Sequence, residues 1–343
     1  MLNIYNKSSN KLERKQNKMK LGILGTGMIV HDLMQTFNEL GIEETYLFAT
    51  THSKEKAEKL VNDYHLNGVY YDYDDLLNSD IDTVYCALPN HLHYSFCKKA
   101  LENHKHVIIE KPITANTREL EELIDLANKN QLMIFEAVNL HYLPSFISLK
   151  EDIKQLGILK IVSFNYSQYS SRYNAFKEGH ILPAFDYHKA GGALMDLNVY
   201  NINAMMGLFG KPAKSQYLAN IEKNIDTSGM MIFDYQDFKA IAIGAKDCKA
   251  PLMNTIQGDQ GAIVVNSPLS QMYEYSIYSN DGKIQRKTFE KKHRLYYEFK
   301  EFIRMIEEKD VQKQQDMLKL SLMIAQIMEE GRKKEGIVFD NDQ

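Results

Sequence analysis

Residues 106–113 read HVIIEKPI, an apolar, β-branched run that stops abruptly on a glutamate, a lysine and a proline. Val107, Ile108 and Ile109 suit a strand covered on both faces, whereas Glu110 and Lys111 do not belong in a core. Charges placed directly after a buried strand fit the carboxyl edge of a parallel sheet, where open α/β folds bind their ligands. Pro112 pushes Lys111 out of the helical region into an extended conformation, which fixes the aim of its side chain. The same texture recurs outward from this stretch. KLGILGT, TYLFAT, TVYCALP and QLMIFEA read as further strands, and residues 29–40, 53–64, 93–103 and 117–130 show helical spacing between them. Strand and helix alternating in this way predict βαβ units and a parallel sheet over residues 19–138.

The first of these strands ends in GILGTGMIVHD. Gly25 and Gly27 occupy the first two positions of a GxGxxG fingerprint in its strand–turn–helix setting, and Val30 replaces the third glycine, which predicts a helix lying slightly further from the strand. Glycines there let the backbone approach a pyrophosphate seated at the start of the helix, next to Met28 and Ile29. The second strand runs into FATTHSKEK, with no Asp or Glu at its tip to read a ribose hydroxyl. Thr50 and His52 instead offer a hydroxyl and a cation, so NADP is the preferred cofactor and NAD the alternative. Ser53 doubles as a candidate helix N-cap.

Beyond residue 138 the pattern changes to alternating strands, ILKIVSFNYSQYS, GMMIFDY, KAIAIGA and AIVVNS, with turn signals such as Asn280-Asp281-Gly282, and residues 294–331 carry long helical periodicity. A chain of 343 residues exceeds one ordinary core. The expected division is a polar, loose leader over 1–18, a dinucleotide domain over 19–138, and a substrate-binding and oligomerisation domain over 139–343 whose last helices pack back on the first. A formal net charge of -4 with no basic stripe argues against nucleic acid. Cys86, Cys97 and Cys248 are odd in number and lack CxxC spacing, so neither disulfides nor a zinc site is expected. No apolar run is long enough to span a bilayer, and the leader lacks a signal-peptide centre, which points to the cytoplasm. His180, His188 and His293 share no ligand spacing, and no metal is expected.

CALPNHLH followed by ALENHKHVIIEKPI resembles the Gfo/Idh/MocA family of oxidoreductases. The likeness is carried by Pro89, Asn90, His93, Ala100, Leu101, Lys105, His106, Val107, Glu110, Lys111 and Pro112. It implies an α/β protein with an N-terminal Rossmann parallel sheet and a C-terminal α+β domain built on a large mixed, mainly antiparallel sheet. It also implies a cofactor lined by Leu88, Pro89, Asn90, His93 and Glu110, and a Lys111 that reaches both cofactor and reacting hydroxyl. HKAGGALMDLNVYNINAMMGLFGKP, residues 188–212, is similar to the family's glycine-rich turn leading into a helix, with Asp196 and Tyr200 as its functional pair. Four residues is close to one helical turn, so the two share a face and can converge with Lys111. Tyrosine rather than histidine at the second position is similar to the glucose-fructose oxidoreductase and dimeric dihydrodiol dehydrogenase branch.

Asn198 stands where that family shows glycine, a residue type that tolerates left-handed backbone. FEAVNLHYLP resembles the family's Glu-Ala strand end and trailing proline, which implies substrate-side positions for Asn139 and His141 where the closer branch often shows an arginine, and Tyr169, with Tyr166, Arg172 and Tyr173, is a candidate for the pocket wall. The reaction implied is hydride transfer between nicotinamide C4 and a carbinol or carbonyl carbon of a sugar, cyclitol or related polyol. Either Tyr200 or Lys111 carries the proton; a tyrosine titrates near about 10 when free, and a neighbouring lysine cation is expected to lower that value. A sensor on the same scaffold that binds dinucleotide or sugar without turnover is the alternative, as is an enzyme that recycles a tightly held cofactor. A homodimer or homotetramer through the C-terminal sheet is implied.

Overall fold

Six strands, Lys20–Leu24 (β1), Glu44–Phe48 (β2), Gly68–Tyr70 (β3), Thr83–Cys86 (β4), His106–Glu110 (β5) and Ile134–Ala137 (β6), form one wholly parallel sheet in the order β3-β2-β1-β4-β5-β6. This is the doubly wound dinucleotide order, and its direction reverses between β1 and β4. The computed structural model describes residues 18–343, so apart from Lys18 the polar leader lies outside the described residues. Helices Met28–Met34 (α1), Lys54–Tyr64 (α2), Tyr73–Asn78 (α3), His93–Glu102 (α4) and Thr117–Asn130 (α5) cover the sheet. The predicted first helix breaks after Met34 and resumes as a short 3-10 turn over Phe37–Glu39. The sequence reading missed β3 and α3: three half-buried strand residues and a six-residue helix are too short to display a period.

The second half opens with Pro144–Asp152 (α6) and Leu159–Ser167 (β7), followed by the short helix Tyr173–Lys177 (α7) and a helix over Val199–Phe209 (α8). Lys214–Glu222 (β8), Ile225–Asp234 (β9), Lys239–Ala245 (β10), Asn254–Gly258 (β11), Gly261–Val265 (β12), Glu274–Ser279 (β13) and Ile284–Thr288 (β14) complete an eight-stranded sheet, order β14-β13-β12-β11-β7-β10-β9-β8. Every pairing in it is antiparallel except β7 with β10, which agrees with a mixed, mainly antiparallel sheet. One face packs on α6 and α8 around Phe146, Phe164, Val199 and Ile202, all buried.

The closing helices Tyr296–Glu308 (α9) and Val311–Lys334 (α10) join the halves. Phe299 meets Tyr85 of β4 edge-on with ring centroids 5.0 Å apart, and Phe302 lies 4.9 Å from Phe135 of β6, so α9 belongs to the core of the parallel sheet. Asn341, near the carboxyl terminus, donates to the His91 carbonyl at 3.3 Å and accepts from Asn116 Nδ2 at 2.7 Å. These bonds steady the loops that follow β4 and β5.

Candidate active site

The carboxyl ends of β1, β4 and β5 meet where the strand order reverses. Gly25 has φ +108°, and a Cβ there would stand 2.9 Å from the Ala87 carbonyl oxygen, so only glycine fits between the ends of β1 and β4. Gly27 caps α1 and has open space where a Cβ would point. Met28 is 73% exposed and Ile29 half-buried beside it. A bare backbone facing open space at a helix start suits the close approach of a pyrophosphate, and the residues present fit a dinucleotide. Val30, at the third fingerprint position, is fully buried in the core under the sheet. Thr50 and His52 are exposed just beyond β2 with no carboxylate among residues 49–54. Ser53 does occupy the cap position of α2, but its hydroxyl makes no capping bond.

Lys111 follows β5 and reaches across to the second half of the chain. Its Nζ donates to the Asp196 carbonyl at 2.7 Å and to Asp196 Oδ1 at 3.1 Å, and it lies 4.9 Å from the centre of the Tyr200 ring. The structure thus brings together the three residues singled out for chemistry. Asp196 and Tyr200 do not share one regular helix, however. Leu194–Asn198 forms a π-helical turn that passes into α8 at Val199. A wider turn brings positions four apart closer to one face than an α-helix does, and such turns recur at functional sites. Asn198 is right-handed, at φ −69° and ψ −21°, contrary to the left-handed conformation its place suggested. It is fully buried, and its side chain is held by the Ala242 carbonyl and by Asn201. The turn starts at Gly192, φ +106°, where a Cβ would collide with Asp226 Oδ1, while Asp226 Oδ2 accepts from the Leu194 amide at 2.6 Å.

Sequence reasoning missed Lys246. It stands one residue beyond β10, 2% exposed, and its Nζ donates to Asp196 Oδ2 at 2.8 Å and to the Ala184 carbonyl at 2.5 Å. The signal was available, since KAIAIGAK, like HVIIEK, is an apolar strand that ends on a lysine. Arg294 was missed too. It pairs with Asp32 at 2.5 Å and contributes positive charge at Tyr200 and Glu110.

Electrostatics set the protonation of this cluster. Burial by itself would raise the Asp196 carboxyl, but Lys111 and Lys246 outweigh it and hold the group well below the usual carboxylate range. Burial works against the charge on Lys111, yet Tyr200 and Asp196 prevail and raise it above an ordinary lysine. Tyr200 corrects an expectation: burial raises its hydroxyl by more than Lys111 and Arg294 lower it, so the net direction is up. Burial also raises Glu110, which accepts from Tyr85 at 2.5 Å, and lifts Glu298, fully buried with neither oxygen hydrogen-bonded among the described residues, well above its normal range.

Three other expected site residues lie elsewhere. His93 is fully buried and cannot touch a cofactor; its ring nitrogens face the carbonyls of Leu88 at 2.8 Å and Pro112 at 3.0 Å. It holds the loops that follow β4 and β5 together from behind. Asn139 is 2% exposed, with its amide spent on the carbonyls of Ser270 and Arg294, and does not line a pocket. His141 packs edge-on against Phe146 and bonds Asn203 of α8, three positions past Tyr200, through Nε2 at 2.9 Å. Burial pushes its pKa down to about 4. Because that folded value lies below the free one, the stability His141 gives is complete above about pH 6.5 and is lost as pH falls toward 4, by at most about 3 kcal/mol. Urea unfolding at pH 7 and pH 4.5 should therefore show His141→Gln destabilising the protein at pH 7 and costing much less at pH 4.5. An equal cost at both values would rule out a buried neutral imidazole.

Pro89 and Asn90 line a cleft of about 190 Å³ with Asp196, Arg172, Ala184 and Lys189. Asn90 bridges the halves by donating to the Ala190 carbonyl at 2.8 Å. Tyr166 places its ring 6.1 Å from that of Tyr200, whereas the Tyr169 hydroxyl is 2.7 Å from Asn174 on the exposed rim and Tyr173 bonds Glu222 at 2.6 Å. Among the described residues, no group of His, Cys, Asp or Glu could hold a metal ion.

Parallel sheet, glycine turn and lysine-centred cluster together define a nicotinamide-dinucleotide oxidoreductase. Residues 19–138 match the family model described as oxidoreductase family, NAD-binding Rossmann fold. The chain is 32% identical over 330 residues, 95% of its own length and 99% of the relative's, to a scyllo-inositol 2-dehydrogenase (NADP(+)) of Bacillus subtilis. It is 25% identical over 224 residues to mouse trans-1,2-dihydrobenzene-1,2-diol dehydrogenase, covering 63% of this chain and 65% of that one. The protein belongs to the Gfo/Idh/MocA oxidoreductase family. Among solved structures, a levoglucosan dehydrogenase in complex with NADH and levoglucosan superposes with a TM-score of 0.80 at 16% identity, over 93% of this chain and 97% of that one. A 3-ketoreductase from Actinomadura kijaniata superposes at 0.79 and 19% identity, over 92% and 98%. At these identities the structural likeness speaks for the fold.

Proposed function

We propose that this protein is an NADP-preferring dehydrogenase that interconverts a secondary alcohol and a ketone on a cyclitol or sugar ring. One observation carries the reading: Lys111, Asp196 and Tyr200 converge at the switch point of a dinucleotide sheet, in a chain alignable over nearly its whole length with an NADP-dependent inositol dehydrogenase. When bound, the nicotinamide supplies a hydride acceptor or donor. The chain's own residues do the rest. Lys111, with two of its three N–H bonds engaged by Asp196, stays charged and steadies negative charge on the substrate oxygen. Tyr200, beside that cation, exchanges the proton of the substrate hydroxyl. Asp196 fixes the lysine, and the Asn90 bond to Ala190 keeps the halves together around a cleft sized for a small polyol. The absence of an acid at the end of β2 favours a 2′-phosphate over a free ribose hydroxyl.

The test is a fluorescence titration with NADPH and NADH, followed by nicotinamide absorbance over inositols, inososes, aldoses and keto-sugars. NADPH should bind at least about tenfold tighter, a difference of about 1.4 kcal/mol, and at least one cyclitol or sugar should turn over. Tight binding with no turnover on the panel would favour a sensor, and no binding of either nucleotide would end the proposal. Light scattering on the same sample tests the subunit contact we assign to the open face of the eight-stranded sheet, where Leu218, Met230 and Ile232 remain 38–40% exposed. No helix among the described residues is long and apolar enough to cross a membrane, and we place the enzyme in the cytoplasm.

A further inference from the structure

We infer that Lys246 is a positioning residue for the reaction, setting both the direction of the Asp196 carboxylate and the net charge of the catalytic cluster. This rests on the dehydrogenase reading above.

Asp196 gives one oxygen to each lysine: Oδ1 to Lys111 at 3.1 Å and Oδ2 to Lys246 at 2.8 Å. The carboxylate is thereby stretched between two fixed points and has no freedom to rotate. Lys246 is itself immobile. Its ammonium is 2% exposed, lies 4.4 Å from the centre of the Phe185 ring and donates to the Ala184 carbonyl, while its backbone amide bonds Thr227 and its carbonyl accepts from Ser170. Ala184 lines the same cleft as Asp196, so Lys246 also ties the cleft wall to the carboxylate.

The second consequence is electrostatic. A lone Lys111–Asp196 pair is neutral and holds its proton tightly. With Lys246 included, two cations share the Asp196 carboxylate, so the charge around it is more positive than in the lone pair, although burial lowers Lys246 and the Asp226 carboxylate offsets part of its charge. Excess positive charge favours the alkoxide character that develops on a substrate oxygen as its proton leaves. It also makes the protons of Lys111 and Tyr200 easier to release than the neutral pair would. The other ionisable groups facing these two, Glu110 on β5, Glu136 on β6, Tyr166 on β7, Arg294 before α9 and Glu298 on α9, are unaffected by a change at Lys246 except through space. Asp226, behind the π-helical turn, also faces Lys246.

The experiment compares Lys246→Met and Lys246→Arg with wild type by kcat, KM, the pH profile of alcohol oxidation, and crystal structure. In Lys246→Met, kcat should fall at least about tenfold with KM nearly unchanged. The pH at which oxidation reaches half its maximum should rise, because removing a cation tightens its neighbours' protons. The Asp196 carboxylate should turn away from its wild-type rotamer. Lys246→Arg, which keeps the charge, should restore the pH midpoint. A Lys246→Met enzyme with wild-type kcat would overturn the inference. So would equal losses in both variants with an unmoved pH midpoint, which would mark Lys246 as structural only. If wild type turns over nothing, the dehydrogenase reading fails, and the Asp196 rotamer in the variant crystal still decides whether Lys246 positions that carboxylate.

Discussion

Lys111→Ala should reduce kcat by about 10²–10³-fold, the scale expected when the group proposed to stabilise the developing oxyanion is removed. The fold should survive the change. Deleting one partner of a buried ion pair usually strands a charge, at about 3–5 kcal/mol, but Asp196 keeps Lys246 at 2.8 Å and remains compensated. Affinity for NADPH should move by less than about tenfold, because the glycine turn at Gly25 and Gly27, proposed to seat the pyrophosphate, is untouched. Lys111→Arg is the informative companion. A guanidinium keeps the charge but presents a planar fork where a point donor is required, so an intermediate kcat is expected if Lys111 acts through its charge. An arginine variant as inactive as the alanine variant would instead point to Lys111 as the proton carrier. An alanine variant within tenfold of wild type would remove Lys111 from the mechanism.

The sheet that carries this lysine was legible because its central strands are buried on both faces and read as unbroken apolar runs, as the HVIIE of β5 does. What followed those strands was legible for the same reason, since a charge has no place in such a run unless a crevice receives it. The positions that went wrong each depended on something a linear pattern does not hold. His93 and Asn139 sit in loops of the right address, but their side chains turn inward to satisfy buried carbonyls, and direction is decided by packing. The π-helical turn at Leu194–Asn198 is a local departure from helical spacing that leaves Asp196 and Tyr200 the same four residues apart. Lys246 meets Asp196 across fifty positions and only through the placement of β10 beside β7. Tyr200 shows the limit of pairwise argument: its cationic neighbour was foreseen, but the burial that outweighs it belongs to the whole fold.

That burial governs the second large effect. Tyr200→Phe removes one oxygen from a ring already packed beside Tyr166 and Lys111, so the variant should fold normally while kcat drops by about 10²–10⁴-fold, the contribution of a general acid or base. The direction of its pKa makes the loss visible in the pH profile. Tyr200 is held above an ordinary tyrosine, so at neutral pH it carries its proton. Reduction needs that proton, and kcat/KM for ketone reduction should be flat between about pH 6 and pH 9. Oxidation needs it gone, and kcat/KM for the alcohol should climb with pH through the same range. In Tyr200→Phe the residual oxidation should lose that climb. A variant that retained both the climb and most of its activity would transfer the proton to Lys111, which Asp196 and Glu110 hold in the charged form against the effect of burial. With either residue as carrier the cluster enters the reaction protonated at neutral pH, so the ketone-reducing direction should be the faster one there.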